Sequence, residues 1–196
     1  MKFLFVDCCI SIHEPSRTKR LADAFLDSWK NDNPDGEIEV LDIKNMELKP
    51  LDAKTLLARE EAIQKGDFDN EMFTLAKQFA RADRIVIAAP YWDMSFPAKF
   101  RTFIELVSVR GITFDYKDDG KSYGKCMAEK LIYLLTAGGT FAGKNQGSEY
   151  IRTMCDFFGI NEFYFLGAPM QDIEGVDSEG ILRDVISQAN ALAKVF

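Results

Sequence analysis

Apolar residues fall along this chain in two alternating kinds of run. Short, nearly continuous runs occur at 2–7, 84–89 and 130–135. Runs of that length, bounded by turn residues, predict strands buried on both faces. Residues 37–42 set Ile38 and Val40, with Ile43 following, among acids, which predicts a strand nearer a sheet edge; residues 163–166 predict a last strand. Longer stretches repeat at helical spacing. Leu21, Ala22, Phe25 and Leu26 predict a helix over 18–29. Residues 52–65 and 69–82 predict two more, separated by Gly66. Pro97 suits the first turn of a helix running through Phe100, Phe103, Ile104 and Val107. Residues 148–158 form another pattern, stopped at Gly159. Ser178 is read as the cap of a final helix whose Ile181, Leu182, Val185, Ile186, Ala189 and Leu192 share one broad face.

Five strands alternating with helices predict an α/β fold, with a parallel sheet and right-handed crossovers. Ligands of such sheets bind outside the carboxyl ends of the strands, where the strand order switches. Three connecting segments sit at those ends: residues 8–18, 90–96 and 136–141. No internal repeat or low-complexity linker interrupts the pattern, and 196 residues suffice for one well-buried domain spanning 1–196.

Charge narrows the partners. The 24 Lys and Arg against 31 Asp and Glu leave a net charge of −7, which argues against nucleic acid. Any phosphate must therefore be held by local geometry. The opening run resembles a signal peptide only superficially, because Asp7 interrupts it and no small-residue cleavage site follows. No stretch approaches the roughly 20 apolar residues of a membrane span, so a cytoplasmic protein is expected. Cys8, Cys9, Cys126 and Cys155 fit free thiols better than a disulfide framework. The adjacent Cys8–Cys9 pair reads as packed thiols, since a vicinal disulfide is strained. His13 is the only imidazole, so a catalytic triad or His-based metal site would have to be built around it.

The first segment lacks both the Gly-x-Gly-x-x-Gly fingerprint and a P-loop. It offers Ser16, Arg17 and Thr18 at a helix start instead. Unpaired amides, a positive dipole and two hydroxyls suit a monophosphate, although Ser16 is equally well read as a helix cap alone. The second segment, Pro90-Tyr-Trp-Asp-Met-Ser-Phe-Pro97, sets large apolar groups just past a central strand. A flat heteroaromatic ring packs well on such a wall; a core plug or dimer contact is the plainer reading. In the third, Thr136-Ala-Gly-Gly-Thr-Phe141, paired glycines let backbone amides approach a ligand or serve a tight turn.

In this order the segments resemble the FMN-dependent NADH-azoreductase and NAD(P)H:quinone oxidoreductase family. Ala88-Ala-Pro-Tyr-Trp-Asp-Met94 is similar to that family's Ala-Pro-Met-Tyr-Asn-Phe loop. Val107-Ser-Val-Arg-Gly-Ile-Thr-Phe-Asp-Tyr116 is similar to its Gly-Val/Ile-Thr-Phe-x-Tyr signature, and Thr136-Ala-Gly-Gly139 to its Ser-Arg-Gly-Gly loop. The resemblance implies a flavodoxin-like three-layer sandwich: a five-stranded parallel sheet, order 2-1-3-4-5, with helices on both faces. It implies FMN with its phosphate and ribityl chain along Cys9, Ser16, Arg17 and Thr18. Pro90, Tyr91, Trp92, Asp93 and Met94 would wrap the ring, and Thr136, Ala137, Gly138 and Gly139 would meet its polar edge. Cys9, Asp93 and Ala137 stand where the family has Ser, Asn and Arg.

The resemblance further implies electron transfer from NADH or NADPH to quinones, azo or nitro compounds by a ping-pong mechanism, in a homodimer with no separate catalytic residue. A flavodoxin-like carrier delivering electrons to a partner protein is the alternative. A phospho-receiver, suggested by Asp7 and Thr136, is excluded because the required Asp and Lys are absent at the third and fifth strand ends. Glu60-Glu61 and Lys117-Asp-Asp-Gly-Lys121 read as solvated faces.

Overall fold

The computed structural model describes residues 1–12, 15–141 and 145–196. In chain order the first half contains β1 (Lys2–Asp7), α1 (Arg17–Asp32), β2 (Glu37–Leu41), α2 (Ala53–Lys65), α3 (Thr74–Ala80) and β3 (Arg84–Ala88). The second half contains α4 (Ala98–Val107), β4 (Phe114–Tyr116), β5 (Ser122–Gly124), β6 (Lys130–Thr136), α5 (Gln146–Phe158), β7 (Glu162–Ala168) and α6 (Ser178–Ala193).

Five strands pair in the order β2-β1-β3-β6-β7, all parallel. With the β4-β5 hairpin set aside as a separate two-stranded sheet, this is the expected order 2-1-3-4-5. Successive side chains on a strand point to opposite faces. Leu4, Val6, Ile85, Ile87, Leu131 and Tyr133 therefore share one face, covered by Phe79, Phe100, Phe103 and Phe158. Phe3, Phe5, Val86 and Ile132 share the other, covered by Leu21, Phe25, Trp29, Leu182 and Val185 of α1 and α6. Trp29 packs on Phe3 with ring centroids 3.9 Å apart and planes tilted by 32°. Each such side chain contributes roughly 1.5–3 kcal/mol on burial, so the helices are pinned to both sheet faces.

The same alternation separates the cysteine pair. Cys8 joins the first core and Cys9 the second, on opposite sides of the chain. All four cysteines are free. Burial, with Asp7 alongside, pushes the Cys8 thiol up to about 12 and Cys9 also upward, so both stay protonated and unreactive at neutral pH.

Several element boundaries differ from the sequence pattern. Residues 69–82 do not form one helix. The Asn70 side chain accepts the Met72 amide at 3.2 Å and starts a tight turn at Glu71–Phe73, which drives Phe73 into the core before α3 begins. Asp177, not Ser178, caps α6, accepting the Gly180 amide at 2.8 Å. Pro97 sits one residue before α4 rather than in its first turn. Lys117–Lys121 forms the turn of the unanticipated hairpin, closed by the Lys117 amide on the Lys121 carbonyl at 2.8 Å. Among the described residues no helix is long and apolar enough to cross a membrane.

Candidate functional site

The parallel strands all point their carboxyl ends to one edge of the sheet. A cavity of about 730 Å³ opens there, between the start of α1, the turn after β3 and the loops after β6 and β7. That is the size of a small-molecule site.

One wall is the start of α1. Ser16 is its N-cap and its hydroxyl accepts the Lys19 amide at a long 3.4 Å. The first amides of a helix have no intrahelical partner, and they carry the positive end of the dipole. Thr18 turns its hydroxyl inward, 2.6 Å from that of Thr136, and is almost fully buried. That pair ties the helix start to the end of β6.

The opposite wall follows β3. The Tyr91 amide donates to the Thr136 carbonyl at 2.9 Å and carries the chain over the sheet edge. Trp92 and Ser95 then exchange two backbone hydrogen bonds, at 3.3 and 2.7 Å, around Asp93 and Met94. Both central residues have positive φ, 48° and 66°, which makes this a type I′ turn. Asp tolerates that conformation; Met does not favour it. The Tyr91 ring meets the edge of Phe141 at 5.9 Å, which continues to Phe165 and the core. A chain of aromatic contacts thus holds the wall in place.

The floor is the loop after β6. The carbonyls of Ala137, Gly138 and Gly139 accept the amides of Gln171, Asp172 and Met170 at 2.8–3.0 Å. This ladder uses the loop's carbonyls and leaves the Gly138 and Gly139 amides outside it. A Cβ on Gly138 would lie 2.6 Å from the Asp172 carboxylate, so only glycine permits that approach without displacing it.

Charge at the mouth is paired. Arg17 contacts Asp172 at 2.6 Å, and Arg20 grips Glu179 through two bonds at 2.9 and 2.8 Å. Those bonds hold the Glu179 carboxyl below its usual range. Below the site, buried Asp7 accepts the Cys9 amide at 3.0 Å and pairs with Lys44. Burial works against the Lys44 ammonium, but its bonds to Asp7 and Asp42 outweigh it and raise the Lys44 pKa. This network fixes the chain as it leaves β1.

Of the residues singled out from sequence, Ser16, Arg17, Thr18, Pro90, Tyr91, Trp92, Thr136, Ala137 and Gly138 line the cavity together. Cys9 does not. Its sulfur donates to the Ala88 carbonyl at 3.7 Å inside the core. Asp93 and Met94 occupy the exposed turn tip and Gly139 lies just past the lining. His13 lies outside the described residues. Ile10 and Ile12 of the first segment and Arg20 behind the helix start also line the cavity, as do Gln171, Asp172 and Glu179, which lie outside the three segments. Applying the strand-end rule to β7 as well would have pointed to Gln171 and Asp172.

The flavodoxin-like fold family matches residues 1–192. An FMN-dependent NADH:quinone oxidoreductase of Clostridium acetobutylicum is 34% identical over 200 residues, covering 100% of this chain and 99% of that one. The chain belongs to this flavodoxin-like quinone oxidoreductase family. Another member, from Clostridium perfringens, is 34% identical over 197 residues with the same coverage. An azoreductase structure from Bacillus anthracis shares the fold, with a TM-score of 0.88 and 24% identity across 100% of this chain and 99% of that one. So does an FMN-dependent NADH-azoreductase from the same species in complex with FMN, with a TM-score of 0.84 and 19% identity over 99% and 98% of the two chains. Ala137 is buried, and the guanidinium groups at the cavity come from Arg17 and Arg20 of α1.

Proposed function

We propose that this chain binds FMN in the strand-end cavity and is an NADH:quinone oxidoreductase, with NADPH as a second donor and azo and nitro compounds as further acceptors. The observation that carries this reading is the convergence of a helix start, an aromatic wall and a glycine floor on one cavity of about 730 Å³. FMN fits that donor set. Ser16 and the first amides of α1 suit its single phosphate, Arg17 and Arg20 supply charge, and Pro90, Tyr91 and Trp92 suit a flat ring.

FMN, when bound, would supply the redox chemistry that links oxidation of the nicotinamide to reduction of the acceptor, a ping-pong exchange in this reading. The protein supplies position and electrostatics. The Gly138 amide, with that of Gly139 just past the lining, would be the donor that stabilises negative charge on the reduced ring. Tyr91 and Trp92 exclude water from one side of it. No general acid or base is required of the chain. Ile12, Trp92 and Met94 leave apolar surface exposed beside the mouth, which supports a two-fold dimer with each site near the subunit boundary.

Protein incubated with equal FMN and FAD should retain FMN, because the start of α1 offers one phosphate subsite rather than the close glycine approach of a pyrophosphate site. It should then oxidise NADH in the presence of menadione. Retention of FAD, or of no flavin, overturns the reading; FMN without quinone-dependent NADH oxidation points to a carrier.

Asp93 provides a finer measurement. An ionised carboxylate against the ring would lower the flavin's midpoint potential, and Asp93→Asn would then raise it by about 30 mV per 1.4 kcal/mol of repulsion relieved. Asp93 is exposed at a turn tip, where solvent screens its charge. The expected shift in Asp93→Asn is therefore under about 30 mV. A redox titration showing a larger rise would place the carboxylate against the ring.

A further inference from the structure

The two arginines at the α1 end of the cavity are held in different ways. Arg20 meets Glu179 through its two terminal guanidinium nitrogens and both carboxylate oxygens, a fork that is geometrically closed. Arg17 meets one oxygen of Asp172, through one nitrogen. The Asp172 side chain is 66% exposed, whereas its amide is fixed on the Gly138 carbonyl at 3.0 Å. The backbone of Asp172 is therefore anchored at the cavity wall, and its exposed carboxylate passes over Gly138 to the first residue of α1.

We propose that Asp172 is a built-in competitor for the cofactor phosphate: it pairs with Arg17 and must release it when a phosphate reaches the start of α1. This rests on the FMN reading above and adds a residue that sets phosphate selectivity. An exposed, single-contact pair is weak, so a dianion at a helix start can displace the carboxylate, which then returns to solvent. The freed Asp172 charge stays near the phosphate and opposes it. Both effects lower the affinity for a phosphorylated ligand and leave a ligand without phosphate untouched. In a chain of net charge −7, the cavity mouth thus offers less positive charge than its arginines suggest.

The test compares FMN with riboflavin, its counterpart lacking the phosphate, by fluorescence titration of wild type, Asp172→Asn, Arg17→Ala and the double variant. Asp172→Asn keeps the side-chain shape at an exposed position, and Asp172→Ser serves as a second substitution. FMN should bind about fivefold tighter to Asp172→Asn, the scale of an exposed ion pair, with riboflavin unchanged. Added salt should narrow the difference. In the Arg17→Ala background the Asp172 substitution should give a smaller gain, since the exchange of partners is gone. Equal or weaker FMN binding by Asp172→Asn, or the same change for riboflavin, overturns the proposal. Wild-type protein that binds neither flavin overturns the functional reading itself, which separates the two failures.

Discussion

Ser16→Ala should weaken FMN binding about 10- to 150-fold while lowering the thermal midpoint by only a few degrees. A hydrogen bond to a charged group is worth roughly 1.5–3 kcal/mol, and that converts directly into the affinity range. The Ser16 hydroxyl is suited to this role because its bond to the Lys19 amide is long, 3.4 Å, and uses it only as an acceptor. Its proton remains available to an anion at the start of α1. Loss of the cap itself costs about 1 kcal/mol, about 2–4 °C for a chain of this size. Thr18 behaves differently. Its hydroxyl is committed to Thr136 at 2.6 Å in a buried position, so Thr18→Ala strands a buried hydroxyl and costs about 1–3 kcal/mol of stability. A Ser16 and Thr18 double variant would mix the two effects; Ser16→Ala alone separates them. FMN titration beside a thermal melt decides it. An unchanged affinity with a lowered midpoint would leave Ser16 as a helix cap and nothing more.

The sheet was legible because parallel strands buried on both faces must read as continuous apolar runs, and β1, β3 and β6 do. β7 was read too short, at 163–166 rather than Glu162–Ala168, because its side chains are mostly half-buried and its ends carry Glu162 and Gly167. The β4-β5 hairpin left no trace. Strands of three residues carry no period, and this pair is placed by contact with α5 rather than by local pattern. The site divides along the same line. Ser16–Thr18, Pro90–Trp92 and Thr136–Gly138 each follow a strand end, so chain order alone located them. Arg20 and Glu179 meet only because α6 packs beside α1, a fact of tertiary structure that no spacing along the chain records.

The other large effect should come from a residue far from the cavity mouth. Gly124→Ala should destabilise the protein by about 3 kcal/mol, at or beyond the usual cost of overpacking. A Cβ at Gly124 would lie 1.9 Å from the Phe158 carbonyl carbon and 2.0 Å from the Gly159 nitrogen. Those are backbone atoms, so no side-chain rotation relieves the clash. Nor can α5 retreat easily: Phe158 is buried, its carbonyl accepts the Cys126 amide, and Gly159 ends the helix at φ 79°. Gly120→Ala is the control. Gly120, unlike Gly124, has positive φ, 81°, but nothing lies within 4 Å of its Cβ position, so only backbone strain of roughly 1–2 kcal/mol applies. The other end of α5 reaches the site. A Cβ on Gly147 would stand 3.2 Å from the Ser95 carbonyl carbon, so the helix bears on the turn that carries Trp92. Displacing α5 at Gly159 therefore disturbs the aromatic wall as well as the hairpin. Urea unfolding should move the Gly124→Ala midpoint down by about 1–3 M, given typical slopes near 1–3 kcal/mol/M, and further than Gly120→Ala. FMN affinity should fall in Gly124→Ala and hold in Gly120→Ala. Equal midpoints for the two variants would mean that the hairpin yields freely and that α5 does not couple it to the site.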